Sequence, residues 1–388
     1  MSELTNAAKL PSKKKNMPKI DIRTFTMIGG LVLLWILFTY TTDGTFLLVR
    51  NISNLLRQMA IVGILGAGMV LVIVTGNIDL SVGSVLGFLG GLAAALMIWN
   101  GWGTPATMAV ILLAGALIGV IQGSIIAYIK VPAFIVTLGG LLIFRGGLLG
   151  VTKGVSIAPF RPSYIYVGQA YVSNEVGVAL GVLAVVVWTA TLFNKRRSRL
   201  KYNFPVESLY KMAAKIAVAA LVIMGIILML NSYNGIPVPV LLMVVLMVIF
   251  TFVAEKTTFG RSIYAMGGNM EASKYSGIDV RKNLVIVYML NGVLAAIAGI
   301  VLSARLNAGT PSAGMNMELD AIAAAVIGGA SMSGGSGKVA GAALGALFMA
   351  TIDNGMSMMN MDAYWQYIVK GFILVIAVGF DIYTKNKR

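Results

Sequence analysis

The residues of this chain that could do chemistry are a few carboxylates and amides set among apolar runs. Asp79 separates two apolar runs and has Asn77 and Ser81 beside it, while Glu318 and Asp320 open another apolar stretch late in the chain. A carboxylate at membrane depth is costly, so each is a candidate for a polar contact along a pathway through a membrane. For Asp79 the alternative is a helix cap, because Asp or Ser ahead of a helix satisfies its free backbone N–H groups.

The sequence lacks two of the residue types that most often catalyse reactions or bind metals. The chain has no Cys and no His, which excludes disulfides, thiolate chemistry, imidazole bases and most zinc sites. The segment 334–338, Gly-Gly-Ser-Gly-Lys, looks like a phosphate-binding loop, but that motif needs Gly-x-x-x-x-Gly-Lys followed by Ser or Thr. Here Met332 takes the first position and Val339 follows the lysine. We therefore predict no enzyme activity, no cofactor, no metal and no nucleotide site.

One polar segment, residues 255–283, lies between two long apolar runs and is called the polar island below. It is too polar to cross a bilayer and too long for a tight turn between helices. It contains the pair Gly267 and Gly268, then a short helix-forming piece over 269–275, then Gly277. A short helix between glycines, held outside the membrane by two spans, is typical of a docking element.

Composition places the chain in a membrane. Of its 388 residues 58% are hydrophobic and only 11% are charged, and the mean hydropathy is +0.87. Soluble domains carry about a quarter charged residues, so the sequence predicts an all-α, polytopic integral membrane bundle. The net charge of +16 could suggest nucleic acid, but Lys and Arg gathered in cytoplasmic loops are the commoner cause in membrane proteins. We expect the lipid bilayer, and no nucleic acid, as a partner.

The predicted bundle has about 10–12 transmembrane helices, since a span needs about 20 largely apolar residues. The candidate spans, with two or three more in the region 319–383, are 25–41, 58–76, 80–99, 106–129, 132–151, 176–193, 212–231, 236–254 and 284–304.

Orientation follows from where the basic residues gather. Lys and Arg concentrate in the N-terminal tail 1–24, the loop 194–215, the polar island and the C-terminal tail 384–388. From a cytoplasmic N-terminus, six crossings precede the 194–215 loop and eight precede the polar island, so both lie inside, as the positive-inside rule requires. We predict one transmembrane domain over 25–383 with both termini in the cytoplasm.

The late apolar region is irregular. The apolar run 321–330 is too short to span, and the Gly-rich segment 331–338 follows it. A broken or re-entrant helix fits, and so do two ordinary helices joined by a Gly-rich turn. The interruption at 76–84 is a faint counterpart in the first half, and paired broken segments are typical of a transport site near the membrane midplane.

Other polar residues in apolar runs have structural interpretations. We interpret Arg145 as one half of an internal polar pair. Asp353 and Asn354 flank Gly355 near an outer helix end, where interfacial capping is expected. The aromatic cluster 364–367 is typical of an interfacial belt at the start of the last span.

Several stretches together resemble the membrane subunits of bacterial ABC-type monosaccharide importers, the ribose/galactose/xylose permease family. They run in order over residues 25–383, and the basic insertion 194–215, Asn291-Gly292 and the segment 353–359 favour the xylose branch. The resembling stretches are NISNLLRQ at 51–58, NIDLSVGS at 77–84, PAFIVTL at 132–138, YAMGGNMEA at 264–272, ELDAIAA at 318–324 and WQYIVKG at 365–371.

The resemblance implies an assembly in the bacterial inner membrane. Two permease copies form the pathway, cytoplasmic ATPase subunits drive it, and an extracytoplasmic sugar-binding protein delivers the substrate, which we interpret as D-xylose. A short cytoplasmic helix docks on the ATPase in such permeases, and its residues here would be Gly267, Gly268, Asn269, Glu271, Ala272, Ser276 and Gly277.

Two other classes of protein compete with this interpretation. An ion-coupled secondary sugar transporter would need an intramembrane carboxylate, for which Asp79 is the strongest candidate in the first half. A membrane scaffold or receptor without transport would not need broken spans or buried charge. The energy source, ATP or an ion gradient, discriminates between the two kinds of transporter.

Overall fold

The computed structural model describes residues 22–386, and within this range the chain forms fifteen α-helices and one pair of short strands. The predictions for the basic residues of 1–21 and for Lys387 and Arg388 lie outside the described residues. The helices are α1 Ile22–Thr41, α2 Val49–Val74, α3 Val82–Ala94, α4 Thr104–Ser124, α5 Ala133–Thr152, α6 Pro162–Gln169, α7 Asn174–Lys201, α8 Leu209–Asn231, α9 Val238–Lys256, α10 Thr258–Gly268, α11 Met270–Tyr275, α12 Val280–Leu306, α13 Met317–Ile327, α14 Val339–Met358 and α15 Ala363–Asn386.

Short elements complete the chain. Single π-helical turns, Ala95–Trp99 and Ile125–Ile129, extend α3 and α4, and a 3₁₀ turn, Thr45–Leu47, precedes α2. Strands β1, Tyr171–Val172, and β2, Ile236–Pro237, pair antiparallel, and Tyr171 lies opposite Pro237.

Ten of the described helices are long and apolar enough to cross a membrane. This result confirms the predicted all-α polytopic membrane bundle. The apolar part of α1, Met27–Thr41, and the 11-residue α13 are shorter.

Helix α2 is the centre of the bundle. In its most apolar stretch 89% of the residues are buried, whereas the corresponding fraction is 11% for α7, 11% for α8 and 6% for α15. Because α2 packs against α9, α12, α13 and α14, it has no face left for lipid. The apolar outer helices expose their side chains to the surroundings, as helices in contact with lipid do.

Glycines allow α4 and α12 to touch backbone to backbone. Gly115, Gly119 and Gly123 recur every fourth residue, so they form one face of α4. A Cβ atom on Gly119 would overlap the carbonyl oxygen of Tyr288 and lie 2.7 Å from Cα of Met289. Small residues at this spacing are how membrane helices gain close van der Waals packing.

The polar island folds as short, individually capped helices. The side chains of Thr257, Asn269 and Asp279 accept hydrogen bonds from the third backbone N–H beyond each of them and begin α10, α11 and α12. At the other end of α11, Gly277 has φ of 81°, and the N–H of Ile278 donates to the carbonyl of Ser273. This left-handed glycine stop terminates the helix after six residues.

Two irregular segments enter the bundle, one before α3 and one before α13. The segment 307–316 runs back along α3, because a Cβ on Gly309 would lie 2.6 Å from Cβ of Ala94 and one on Gly314 would overlap the carbonyl of Gly83. Helix α13 begins beside the start of α3 and continues to the loop 328–338. The segment before α13 therefore packs against α3 at Gly309 and Gly314, which are buried, whereas Ser312 and Met315 are exposed.

Candidate functional site

Asp79 is the centre of a buried polar cluster and is 3% exposed. Its Oδ1 accepts hydrogen bonds from the backbone N–H of Ser81 at 2.8 Å and from the Ser81 hydroxyl at 2.7 Å. Its Oδ2 accepts a hydrogen bond from Nδ2 of Asn291 at 2.7 Å. Donors of the protein itself therefore occupy both carboxylate oxygens. One of these donors, Ser81, lies at the start of α3.

The Asp79 cluster connects four parts of the bundle. Gln122 on α4 donates from Nε2 to the Ser81 hydroxyl at 2.9 Å, and Asn291 belongs to α12. Gly140 brings α5 against the same place, since a Cβ there would lie 2.5 Å from Nε2 of Gln122. Buried hydrogen bonds between these segments hold their helices in one arrangement.

Asn77 is not part of the Asp79 cluster. It is half-buried, and its Nδ2 donates to the Thr75 hydroxyl at 2.9 Å within the α2–α3 connection. The side-chain oxygen of Asn77 accepts no hydrogen bond from the described residues.

Asp320 belongs to a second charged cluster, the Lys370 triad. The ammonium of Lys370 on α15 lies 2.9 Å from Oδ2 of Asp320 and 2.8 Å from Oδ1 of Asp353. The side chains of Lys370 and Asp320 are 15% and 5% exposed. The triad ties α13, α14 and α15 together by charge.

The capping role predicted for Asp353 is wrong. Asp353 lies inside α14, five residues before its end, and pairs with Lys370 instead of a free helix terminus. Sequence reasoning assigned no role to Lys370. Its signal was available, because a single lysine inside an apolar span is costly and indicates a buried acidic partner.

Glu318 lies where the two irregular segments meet. It is 6% exposed, and its Oε2 is buried and accepts no hydrogen bond from the described residues. Gly83 faces this oxygen so closely that a Cβ there would overlap it. Arg145 on α5 donates from Nη1 to the carbonyl of Ala313 at 3.1 Å, so its polar partner is the backbone just ahead of α13.

The predicted docking residues form an exposed surface at one end of the bundle. Ser273 is the buried residue of α11, whereas Tyr275 is 85% and Met270 43% exposed. The exposed members of the predicted set are Gly268, Asn269, Glu271, Ala272, Ser276 and Gly277.

Gly267, the remaining member, is half-buried and forms a joint between three parts of the chain. A Cβ on Gly267 would overlap the carbonyl oxygen of Val74 at the end of α2 and lie 2.5 Å from the nitrogen of Gly335. The N–H of Gly335 itself donates to the Val74 carbonyl at 2.9 Å. We call Gly267, Val74 and Gly335 the glycine joint.

Tyr264 reinforces the glycine joint from the preceding turn of α10. Its hydroxyl donates to the carbonyl of Gly337 at 2.7 Å. Burial, and to a lesser extent the negative charge of Glu255, raise the pKa of the Tyr264 hydroxyl above its ordinary value. The hydroxyl therefore keeps its proton and its hydrogen bond at physiological pH.

Comparison with known proteins gives a consistent set of relatives. A family model described as the permease component of the branched-chain amino acid transport system matches residues 51–378. The xylose transport system permease protein of Escherichia coli strain K12 is 46% identical over 386 residues, which cover 100% of this chain and 98% of that protein.

Two further relatives come from Haemophilus influenzae. Its xylose transport system permease protein is 48% identical over 372 residues, covering 96% of this chain and 99% of the relative. Its ribose import permease protein is 34% identical over 371 residues, covering 95% of each. No solved structure matches this chain.

Proposed function

This chain belongs to the family of permease components described for branched-chain amino acid transport systems, and from that premise we propose that it is the transmembrane subunit of an ATP-driven importer of D-xylose. The observation that carries the choice of sugar is the identity of 46% and 48%, along nearly the whole chain, to two proteins named as xylose permeases. Identity to the ribose permease is lower, at 34%.

The energy for transport comes from a separate ATPase, because this chain carries no nucleotide-binding motif. Its docking element is α11 with the residues that flank it, Gly268, Asn269, Glu271, Ala272, Ser276 and Gly277. The short capped helix α11 exposes the apolar side chains of Met270 and Tyr275, and exposed apolar side chains on a helix offer contacts to a partner protein.

Motion of the docking element reaches the bundle through the glycine joint. Gly267 contacts the end of α2 and the loop before α14 at the same time, so α10 cannot shift without moving both. From the end of α2 the chain leads directly into the connection that carries Asp79. Rigid elements that contact each other backbone to backbone switch between arrangements and do not deform gradually.

The five pathway candidates divide into two groups by their partners. Asp79, Ser81 and Asp320 hold helices in place, since protein donors or Lys370 engage them. Asn77 and Glu318 keep accepting capacity and are the residues that we propose to meet sugar hydroxyls. This assignment makes ion coupling through Asp79 the less favoured mechanism.

The assembly that we propose contains a second copy of this chain, the ATPase in the cytoplasm and a sugar-binding protein on the opposite side of the inner membrane. The polar island and both termini face the cytoplasm. The support is the agreement between the number of spans and the positions of the basic segments.

Transport by vesicles that contain the purified assembly tests this function. Uptake of radiolabelled D-xylose should require ATP and the binding protein, and it should persist when a protonophore collapses the proton gradient. Excess unlabelled xylose should compete strongly, ribose weakly and leucine not at all.

The opposite results are equally clear. Uptake that persists without ATP and stops with the protonophore would establish the ion-coupled transporter. Competition by leucine in place of xylose would overturn the choice of a sugar while leaving the ATP-driven mechanism intact.

A further inference from the structure

The hairpin of α7 and α8 stands apart from the rest of the bundle. Its two helices pack mainly on each other, and only Gly177 and Gly181 of α7 are buried. Gly181 faces α8, since a Cβ there would overlap the side chain of Ile227 and lie 3.0 Å from Sδ of Met224. One end of the hairpin, residues 194–215, carries seven basic residues and one acid.

The basic end lies at the depth of lipid headgroups. The apolar part of α7 runs from residue 176 to 193, which is about 27 Å of helix and close to the thickness of the hydrocarbon core, about 30 Å. Lys195 is the first charge beyond it. The cations that follow therefore stand where the phosphates of a bilayer lie, on the last turns of α7 and the first turns of α8.

Little of this positive charge is neutralised within the hairpin. Glu207 is the only acid of 194–215, and its carboxylate pairs with Lys215 at 2.5 Å. The hydrogen bond and charge of Lys215, with smaller contributions from Arg199 and Lys195, lower the pKa of Glu207, so this pair stays ionised. Arg196 and Arg199 donate to the backbone carbonyls of Glu207 and Pro205, which fixes their direction but leaves their charge.

A cleft between the two helices combines charge with an apolar wall. Its volume is about 120 Å³. Its lining combines the cations Lys195, Arg196 and Arg199 and the Glu207–Lys215 pair with the apolar side chains of Leu192, Val206 and Met212. An adjoining cleft of about 380 Å³ lies between Arg199 and the aromatic rings of Tyr202 and Phe204.

We propose that this end of the α7–α8 hairpin binds an anionic phospholipid, with the phosphate against Lys195, Arg196 and Arg199 and an acyl chain along α7. A lipid is the partner that presents negative charge and an apolar chain at this one depth. Tyr202, Phe204 and Tyr210 are 65%, 63% and 84% exposed, as expected for side chains in a membrane interface. The inference does not depend on which solute the protein transports.

Trp188 provides a local reporter, because it is half-exposed and lies two turns before Lys195 on α7. In a variant whose other tryptophans are phenylalanine, brominated phosphatidylglycerol should quench Trp188 at lower mole fraction than brominated phosphatidylcholine. Each basic residue near an anionic surface is worth about fivefold in binding. The triple variant K195Q/R196Q/R199Q should therefore lose the preference by at least about fivefold.

A matched triple variant in the polar island, K256Q/R261Q/K274Q, removes the same charge elsewhere and should keep the preference. Native mass spectrometry of the chain with all its tryptophans, counting bound phosphatidylglycerol and phosphatidylcholine, checks the result without the phenylalanine background. High salt should weaken the preference of the unmodified chain.

Three results would overturn the proposal. They are equal quenching by the two lipids, an equal loss in both triple variants, and displacement of phosphatidylglycerol by millimolar inorganic phosphate. The last would indicate a site for a free anion in place of a lipid.

Discussion

Gly267 and Gly268 are neighbours in one helix, yet alanine should have opposite effects at the two positions. A Cβ on Gly267 would overlap the Val74 carbonyl and approach the Gly335 nitrogen to 2.5 Å, whereas a Cβ on Gly268 would meet nothing within 4 Å. Neither glycine has positive φ, so alanine is compatible with the backbone at both. The pair separates steric effects at the glycine joint from helix propensity.

The magnitude follows from the overlap at Gly267. Ordinary contacts begin at 3.4 Å, so α10 must move by about 1 Å to relieve the Gly335 contact alone. Overpacking of this kind costs about 1–3 kcal/mol, partly offset by a gain of about 1 kcal/mol when helical glycine becomes alanine. Gly268→Ala receives only the gain.

Transport per ATP hydrolysed is the quantity that reports on the joint. In reconstituted vesicles Gly267→Ala should lower xylose uptake per ATP about fivefold, the factor for a net cost of about 1 kcal/mol, while the assembled complex still hydrolyses ATP. Gly268→Ala should match the unmodified chain. Gly268→Trp should insert and fold normally but reduce co-purification of the ATPase, because the new ring projects from the docking surface.

The reasoning would be refuted if Gly267→Ala transported normally, or if the two alanine variants were impaired equally. Gel filtration and a thermal melt of each variant show whether a loss of transport merely reflects unfolding. Full ATPase binding by Gly268→Trp would contradict the docking assignment. The glycine joint is tested independently of that variant, by the two alanine variants.

The two buried clusters support further predictions, both measured as thermal unfolding of the purified chain. Asp79→Ala leaves three donors of Ser81 and Asn291 without acceptors and should cost about 2–5 kcal/mol of stability. Asp79→Asn should cost less, since the Asn291 amide can turn so that its unpartnered Oδ1 accepts a hydrogen bond from the side-chain amide introduced at position 79. Equal melting temperatures for the two variants would contradict this account. Lys370→Met leaves Asp320 and Asp353 facing each other and should cost about 3–5 kcal/mol. The triple variant D320N/D353N/K370M, which removes all three charges, should recover much of that loss, and a triple variant no more stable than Lys370→Met would argue against a charge-based triad.

The membrane-spanning helices could be predicted from composition and from local sequence patterns. The scarcity of charge required a membrane bundle, and long apolar runs gave its spans because hydropathy needs no tertiary partner. The glycines Gly267, Gly268 and Gly277 marked the short helix over 269–275 in the same way, since glycine stops act within one turn.

Partners distant in the chain could not be predicted from such signals. Asn291 lies 212 positions from Asp79, whose carboxylate accepts its hydrogen bond. The local sequence around Asp79 is the same whether that carboxylate caps a helix or contacts a substrate. The interpretation of Asp353 failed for this reason, because its environment is set by Lys370 on another helix.

The sequence by itself determined that this protein is a helical membrane bundle with a short polar helix between glycines, because hydropathy, glycine breaks and charge act locally. Only the tertiary structure decided what its few polar residues do. Asp79 and Lys370 connect helices through hydrogen bonds and ion pairs, and Gly267 is packed against distant backbone whereas Gly268 is not. Burial and hydrogen bonding depend on which distant segments meet at one place, and the local sequence does not specify this.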